Sequence, residues 1–423
     1  MRRKLFVVAA LVAAGVVTMV ALPNAFGRAQ LDPGLTPRTV TIGGTFPLSG
    51  PASSYAPIPA GMKAYFSFVN ASRGPDHKRG VFGRQIIWKY YDDAYNPAQT
   101  VQFTRQLVEQ DKVFALVGGL GTSQQEAVRA YANQQKVPQI YVSTGATEWG
   151  AQQAQYPWTI GWQPDYQAES AVYGRYIVSN LPNAKIGVLY QNDDFGKDYI
   201  AGLEAGLTKA HKSMIVATRG YEPTDTSVTS QLLDLRNAGV DTLLIAALPT
   251  QTIVAYATMA GIGWKPANIF TTSVSATSTF LPIAVAKSNA AEVNGTISTY
   301  YTKDPANPSW ANDAGMQLYM KIMAKYLPGA DPKNGNYLYG MAKAYTFVQA
   351  LRAAGPNPTR ASLMAAVLHM NDKTNPFLLP GVVTKTGKND AFPISQQQLV
   401  KWQDGAFIPF GKLIDTRPKG LAF

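Results

Sequence analysis

Cysteine is absent from the 423 residues, and histidine occurs only three times, at His77, His211 and His369. The first absence excludes disulfide frameworks, cysteine-ligated zinc, iron–sulfur clusters and thiol nucleophiles. The histidines stand far apart without a His or Glu partner at ligand spacing, so structural or surface roles are expected, and no metal or cofactor is. Charge is sparse too, at 15% of residues against 46% hydrophobic and 11% aromatic. That balance excludes a disordered chain and is ample for sizeable cores. At about 100–200 residues per domain, the length predicts two or three compact lobes. Past the N-terminus nothing approaches the several ~20-residue apolar runs that a channel or permease needs. Enzyme signatures are also missing: there is no G-x-S-x-G elbow, no G-x-x-x-x-G-K-[ST] phosphate loop and no H-E-x-x-H. Gly118-Gly119-Leu120-Gly121 follows a strand and precedes a helix, but Gln124 stands where a dinucleotide loop has its third glycine.

What is present begins with an export signal. Arg2, Arg3 and Lys4 precede an apolar run from Leu5 to Leu22, then Pro23 and the small-residue pattern Gly27-Arg28-Ala29 before Gln30, with Pro23-Asn24-Ala25 as a competing cleavage site. Residues 1–29 are therefore expected to be a signal peptide, the alternative being an uncleaved anchor. No cysteine follows the run to carry a lipid, which points to a periplasmic or secreted protein. Cleavage removes Arg2, Arg3, Lys4 and Arg28 and takes the net charge from +12 to +8. The remaining basic residues are scattered apart from His77-Lys78-Arg79, so a nucleic-acid partner is not expected.

Along the mature chain, strand and helix patterns alternate with the spacing of βαβ units, which predicts an α/β protein with mainly parallel sheets. Strands are expected at 40–43, 85–90, 113–117 and 137–142. The clearest helix starts at Asn96-Pro97, a cap and a first-turn proline ahead of the stripe Val101, Thr104, Leu107 and Val108. After 158–161 the alternation restarts: a helix from Asp165, a strand at 186–190, a helix beyond Phe195, strands at 214–217, 243–246, 269–272 and 296–301. Helices near 309–326, 337–353 and 359–370 follow, and Asp404-Gly405 between alternating runs predicts a hairpin. Asp92-Asp93 and Asp193-Asp194 are expected to be turn-forming, solvated aspartates rather than an acid/base pair, since neighbours in extended chain face opposite ways.

Three hydroxyl-rich loops come just after predicted strands: Pro47 to Tyr55, Gly119 to Ser123, and Ser143 to Thr147. In open α/β sheets ligands bind beyond the carboxyl ends of strands, so these loops should line one crevice edge. Thr122 or Ser123, opening a helix, offers a hydroxyl and free backbone N–H groups where the helix dipole favours a carboxylate. Ordinary capping of the same helix is the equal alternative.

At these loops the chain resembles the branched-chain amino-acid (leucine/isoleucine/valine-binding) type of periplasmic substrate-binding proteins, which serve ABC importers. The resemblance rests on FPLSGPASSYA, FALVGGLGTSQQEAV, VPQIYVSTGATEW, IGVLYQNDDFGKDYIAGL and AGVDTLLIAALPTQT, in order over nearly the whole mature chain. It implies two Rossmann-like lobes joined by three hinge crossovers with a ligand cleft between them, the first lobe 38–161 plus 301–375 and the second 162–300 plus 376–423. It further implies a non-enzymatic receptor that closes on a small molecule and hands it to an inner-membrane permease. A monomer is expected, because a cleft that opens and closes is poorly served by a large rigid interface. Matched motif by motif, the family's ligand contacts fall on Tyr55, Thr122, Gly145, Thr147, Phe195 and Tyr337. Two positions depart. The acid that holds an amino acid's ammonium is replaced by Ser273-Val274-Ser275, and a tyrosine is replaced by Leu248. The departures point to a small carboxylate with an apolar or aromatic body, with an amino acid remaining open if Asp165, Glu148 or another acid reaches the site. Trp149 and Trp162 are candidates to stack on a ring, with packing as the alternative. A ligand sensor on the same lobes is the competing function. A hydrolase would need a nucleophile and base that these motifs lack.

Overall fold

The computed structural model describes residues 31–417; the expected signal peptide lies outside the described residues. The first sheet contains β1 (Thr39–Phe46), β2 (Gln85–Asp92), β3 (Ala115–Val117), β4 (Gln139–Val142) and β5 (Thr159–Gly161) in the order β2-β1-β3-β4-β5. Every pairing in it is parallel. The second sheet repeats that order with β6 (Ile186–Gln191), β7 (Ile215–Tyr221), β8 (Thr242–Ala246), β9 (Asn268–Thr271) and β10 (Ile297–Tyr300): β7 and β8 flank β6, and β9 and β10 follow in parallel. The central strands are apolar on both faces, as strands covered by helices on both sides must be; all residues of β3, β4 and β8 are buried.

Helices supply the cover: α1 (Pro57–Ala71), α2 (Pro97–Arg105), α3 (Thr122–Gln134) and the short α4 (Glu148–Ala151) in the first lobe, and α5 (Tyr166–Asn180), α6 (Asp194–His211), α7 (Thr229–Asn237), α8 (Pro249–Gly261), α9 (Leu281–Lys287) and α10 (Ala290–Val293) in the second. Their starts are chemically marked. The Asn96 side chain accepts from the Ala98 and Gln99 amides with Pro97 in the first turn, Asp165 accepts from Gln167, and Asp193 from Gly196. The α5–α6 pair packs backbone to backbone. A Cβ added at Gly202 would lie 2.2 Å from the Gln167 carbonyl oxygen, and one at Gly206 2.4 Å from that of Ala171.

The chain crosses between lobes three times. After β10 it returns to the first lobe as α11 (Ala314–Tyr326), α12 (Gly335–Ala353) and α13 (Arg360–Leu368), where α11 and α12 pack on α1. It then forms the ribbon β11 (Asn371–Asp372) and β12 (Thr384–Lys385) and re-enters the second sheet as β13 (Gln396–Gln403), antiparallel to β10. There β14 (Ala406–Pro409) and β15 (Ile414–Asp415) also pair with β13. The β13–β14 hairpin turns on Asp404 and Gly405, both at positive φ (47° and 96°), as a two-residue turn of this hand demands. Phe377, Leu378, Leu379, Val382 and Ile394 belong to the same hydrophobic cluster as α1 and α12. The segment 376–394, assigned above to the second lobe, thus packs on the first, and the return to the second sheet comes at β13. The helix expected from residue 309 starts later, at Ala314: Asn307 caps a separate 3-10 turn, and Asp313 accepts from the Met316 amide to open α11 afresh. No helix among the described residues is long and apolar enough to cross a membrane.

Candidate ligand-binding site

Both sheets point the carboxyl ends of their strands at one another, and a cavity lies between them. Its walls are the loops after β1 (Tyr55), β2 (Tyr95), β3 (Leu120, Gly121, Thr122), β4 (Ser143) and β5 (Gln163) from the first lobe. From the second come the loops after β6 (Phe195), β8 (Leu248), β9 (Ser273 to Thr277) and β10 (Tyr301 to Pro305). Its volume of about 90 Å³ is several times what one water requires. The lobes touch across it. The Tyr55 hydroxyl donates to the Val274 carbonyl (3.1 Å) and its ring meets Phe280 edge-on (6.2 Å). Elsewhere Thr250 Oγ1 donates to the Pro51 carbonyl (3.2 Å), and the Thr147 amide donates to Asp198 Oδ2 (2.8 Å).

Of the residues singled out in the sequence, Tyr55, Thr122, Phe195, Leu248 and Ser273 lie on the cavity wall. Thr122 is the first residue of α3, not its cap. Gly121 caps, at φ 102°, without a side chain to offer, so the Thr122 hydroxyl is free of that task and instead shares a 2.7 Å hydrogen bond with Thr144 Oγ1. Ser123, Gly145, Thr147 and Tyr337 do not line the cavity. Ser123 Oγ faces Asp193 Oδ2 at 3.5 Å. The Thr147 hydroxyl donates to Asp165 Oδ1 (2.5 Å), and the Tyr166 ring packs on Gly145, where a Cβ would sit 2.7 Å from it, while Tyr166 itself lines the cavity. Tyr337 packs its backbone against Gly61, and its helix mates Asn336 and Tyr339 line the cavity in its place.

The second lobe explains what became of the missing acid. Ser273 donates its amide (2.8 Å) and hydroxyl (2.6 Å) to Glu169, which also accepts from the Tyr173 hydroxyl (2.7 Å). Glu169 is fully buried on α5 and off the cavity wall, and burial raises its pKa. Leu248 donates its amide to the Tyr221 hydroxyl (3.0 Å), closing the place of the expected tyrosine with an apolar side chain.

The acids proposed as substitutes for that missing acid do not line the cavity either: Asp165 is held by Thr147 and the Gln167 amide, its pKa pushed up to about 7 by burial. Glu148 sits outside the cavity, where ligating oxygens of Glu126, Glu148 and Asp194 come within 4.8 Å of one another from α3, α4 and α6. Burial first, and then Glu126 and the second lobe's Asp198 and Asp194, push it up to about 7. Asp304 is the acid the sequence reasoning missed. It lines the cavity on the crossover after β10 and accepts from Ser278 Oγ and the Ala306 amide, and burial raises its pKa. No motif marks it, because a crossover has no fixed spacing.

The aspartate pairs form turns but are not solvated throughout. Asp93 is fully buried, accepts from the Tyr95 amide and Thr100 Oγ1, and is pushed up to about 6 by burial. Trp149 and Trp162 pack in the interior, Trp149 under the Arg129 guanidinium at 4.7 Å, and neither lines the cavity.

A model of the periplasmic binding protein family matches residues 39–406. The chain belongs to the periplasmic binding protein family. As a member of that family it is a binding protein rather than an enzyme. Among curated relatives, the Leu/Ile/Val-binding protein homolog 8 of Brucella abortus is 23% identical over 391 residues, covering 90% of this chain and 91% of that one. Among solved structures, a branched-chain amino acid ABC transporter from Thermus thermophilus with bound valine superimposes with TM-score 0.77 at 17% identity, covering 90% and 97% of the two chains. A solute-binding protein of an ABC transporter from R. palustris in complex with 4-hydroxybenzoate gives 0.72 at 18%, covering 91% and 99%.

Proposed function

We propose that this protein is an exported, monomeric solute receptor that captures a small carboxylate with an apolar or aromatic body between its lobes and presents it to an ABC permease. The observation that carries the ligand class is Ser273. Where an amino-acid receptor needs an ionised acid facing the cavity, Ser273 turns both its donors onto the buried Glu169, while Thr122 and the first-turn amides of α3 keep the donor end suited to a carboxylate. An ammonium placed there would lose a charge-assisted hydrogen bond of about 1.5–3 kcal/mol. The walls of Tyr55, Tyr166, Phe195, Leu248 and Tyr301 suit an apolar body. The two solved neighbours are named with valine and with 4-hydroxybenzoate, both carboxylates, one with an amine and one without.

Hinge closure follows from a ligand that touches both lobes, since it stabilises the closed form by its differential affinity for it. Asp304 favours a second reading, an amine-bearing ligand held at the crossover end of the cavity. A thermal-shift screen of the mature protein against leucine, valine, benzoate, 4-hydroxybenzoate and short-chain fatty acids separates the two, because a ligand of the native state alone raises the melting point. Stabilisation by carboxylates lacking an amine is expected. Stabilisation by leucine or valine alone would transfer the role to Asp304, and silence across the panel would refute the carboxylate site.

A further inference from the structure

Lys343 on α12 is fully buried, and no carboxylate of the described residues pairs with it. Lysines are rarely buried unless paired, so an unpaired one is unexplained by packing. Its Nζ donates to Ser143 Oγ and to the Tyr339 hydroxyl (3.1 Å), and lies 4.4 Å from the Tyr339 ring centroid and 5.4 Å from that of Trp162. Gly118 makes room for it: a Cβ there would come 3.0 Å from Lys343 Cδ. Burial alone lowers its pKa well below the usual lysine value, and the titratable side chain that touches it is a tyrosine, Tyr339.

The contacts beyond Lys343 run in one direction. Tyr339, having accepted from Lys343, donates to Gln163 Oε1 (2.6 Å); Gln163 Nε2 then donates to the Tyr166 hydroxyl (3.1 Å). Tyr166 therefore receives a hydrogen bond, which leaves its own hydrogen for the neighbouring Thr144 hydroxyl or for the cavity. Tyr339, Gln163 and Tyr166 all line the cavity. Ser143, by contrast, donates its hydrogen to the Gly118 carbonyl (2.6 Å) inside the wall. Each link fixes the polarity of the next, and such chains strengthen cooperatively in a low-dielectric interior.

We propose that Lys343 is a positioning residue that selects for a negatively charged ligand, orienting the Tyr339–Gln163–Tyr166 chain so that the Tyr166 hydroxyl donates into the cavity. This rests on the cavity being the ligand site, as argued above, and adds the source of its charge preference. A monoanion accepts the oriented donor as a charge-assisted hydrogen bond, roughly twice as strong as the neutral one that an isostere of the same shape can accept.

The test uses carboxylate–carboxamide pairs, benzoate with benzamide and 4-methylpentanoate with its amide, titrated by calorimetry into the mature protein. The native protein should prefer the carboxylate of at least one pair by about tenfold or more, the equivalent of about 1.4 kcal/mol. Lys343→Met should abolish the preference by weakening the carboxylate while leaving the carboxamide unchanged. Tyr339→Phe keeps the ring, breaks the chain at its second link and should shrink the ratio of carboxylate to carboxamide affinity; it serves if Lys343→Met does not fold. A variant that weakens both members of a pair equally, or leaves the carboxylate as tight as before, overturns the role of Lys343 and leaves the receptor function standing. A native protein that binds neither member of either pair overturns the inference together with the proposed ligand class.

Discussion

Replacing Thr122 with valine, which keeps the shape and removes the hydroxyl, isolates the first-lobe half of the site. In the structure that hydroxyl has one protein partner, Thr144 Oγ1 at 2.7 Å, and Thr144 in turn accepts from the Ala146 amide at 3.1 Å. Thr122→Val therefore removes a single neutral hydrogen bond from the folded protein, about 0.5–1.5 kcal/mol, and leaves Thr144 still paired. Against a bound carboxylate the same hydroxyl makes a charge-assisted bond, about 1.5–3 kcal/mol, or roughly ten- to a hundredfold in affinity. The control is Thr144→Val, which breaks the same pair from a residue that does not line the cavity. Titration calorimetry with the best carboxylate from the screen, alongside thermal melts, reads both effects. Thr122→Val should lose affinity by that factor with a modest loss of melting temperature. Thr144→Val should lose affinity only slightly but more melting temperature, because it also strips the buried Ala146 amide of its acceptor. Equal losses of affinity in the two variants would mean that the hydroxyl pair merely shapes the loop, and would refute a ligand contact by Thr122.

Two further outcomes follow from the geometry. Glu148 titrates near 7 rather than at its ordinary 4.5, because of burial first and the carboxylates of Glu126, Asp198 and Asp194 next. Of these carboxylates only Asp198 and Asp194 belong to the second lobe, so closure lifts the pKa further from an open-form value already raised by burial and Glu126. The closed form therefore holds more protons, and its contribution to closure is lost as pH rises through about 7. Affinity should be lower at pH 8 than at pH 5, and Glu148→Gln should flatten the profile. Gly202→Ala would place a methyl 2.2 Å from the Gln167 carbonyl oxygen on the neighbouring helix, a backbone that can give way only by separating α5 from α6. A loss of about 1–3 kcal/mol in denaturant melts is expected, against the small gain that the same change brings on an open helix face.

The fold was legible because its signals are local. Buried parallel strands read as apolar runs, Asn96, Asp165 and Asp193 announce their helices, and Asp404-Gly405 announces its hairpin. That the loops after the strands meet at one crevice edge then follows from the βαβ arrangement, whereas the strand order itself is seen only in the structure. The site was legible only where a motif carries its residue directly to the crevice, as at Tyr55, Thr122, Phe195, Leu248 and Ser273. Gly145 and Thr147 stand off the cavity wall, the first packed under the Tyr166 ring and the second turned to Asp165, and a tyrosine opening a helix looks the same in sequence whether it points in or out. Lys343 and Asp304 were illegible for a related reason. Each sits in an ordinary-looking helix or crossover, and only tertiary placement shows that one is buried without a counter-ion and the other faces the cavity.

The charges around the cavity constrain each other, and that is where the ligand class is decided. Of the groups on the wall, Lys303 is neutralised by Asp313 at 2.6 Å, and Asp304 is buried with its oxygens turned to Ser278 and the Ala306 amide. Glu169 lies behind Ser273 with its donors already in place. Asp304 takes two donors on about four lone-pair sites and so keeps room for an ammonium, but burial disfavours the ionised form it would need. The donor end at Thr122 and Tyr166 can meet a carboxylate without giving up any bond that secures a loop. The two ends therefore differ in the work required of a ligand: the carboxylate end has its donors in place, and the ammonium end must ionise a buried acid. A zwitterion meets both demands and a simple acid only the first, so the ratio of affinities for 4-methylpentanoate and leucine, which share a carbon skeleton, measures that asymmetry directly.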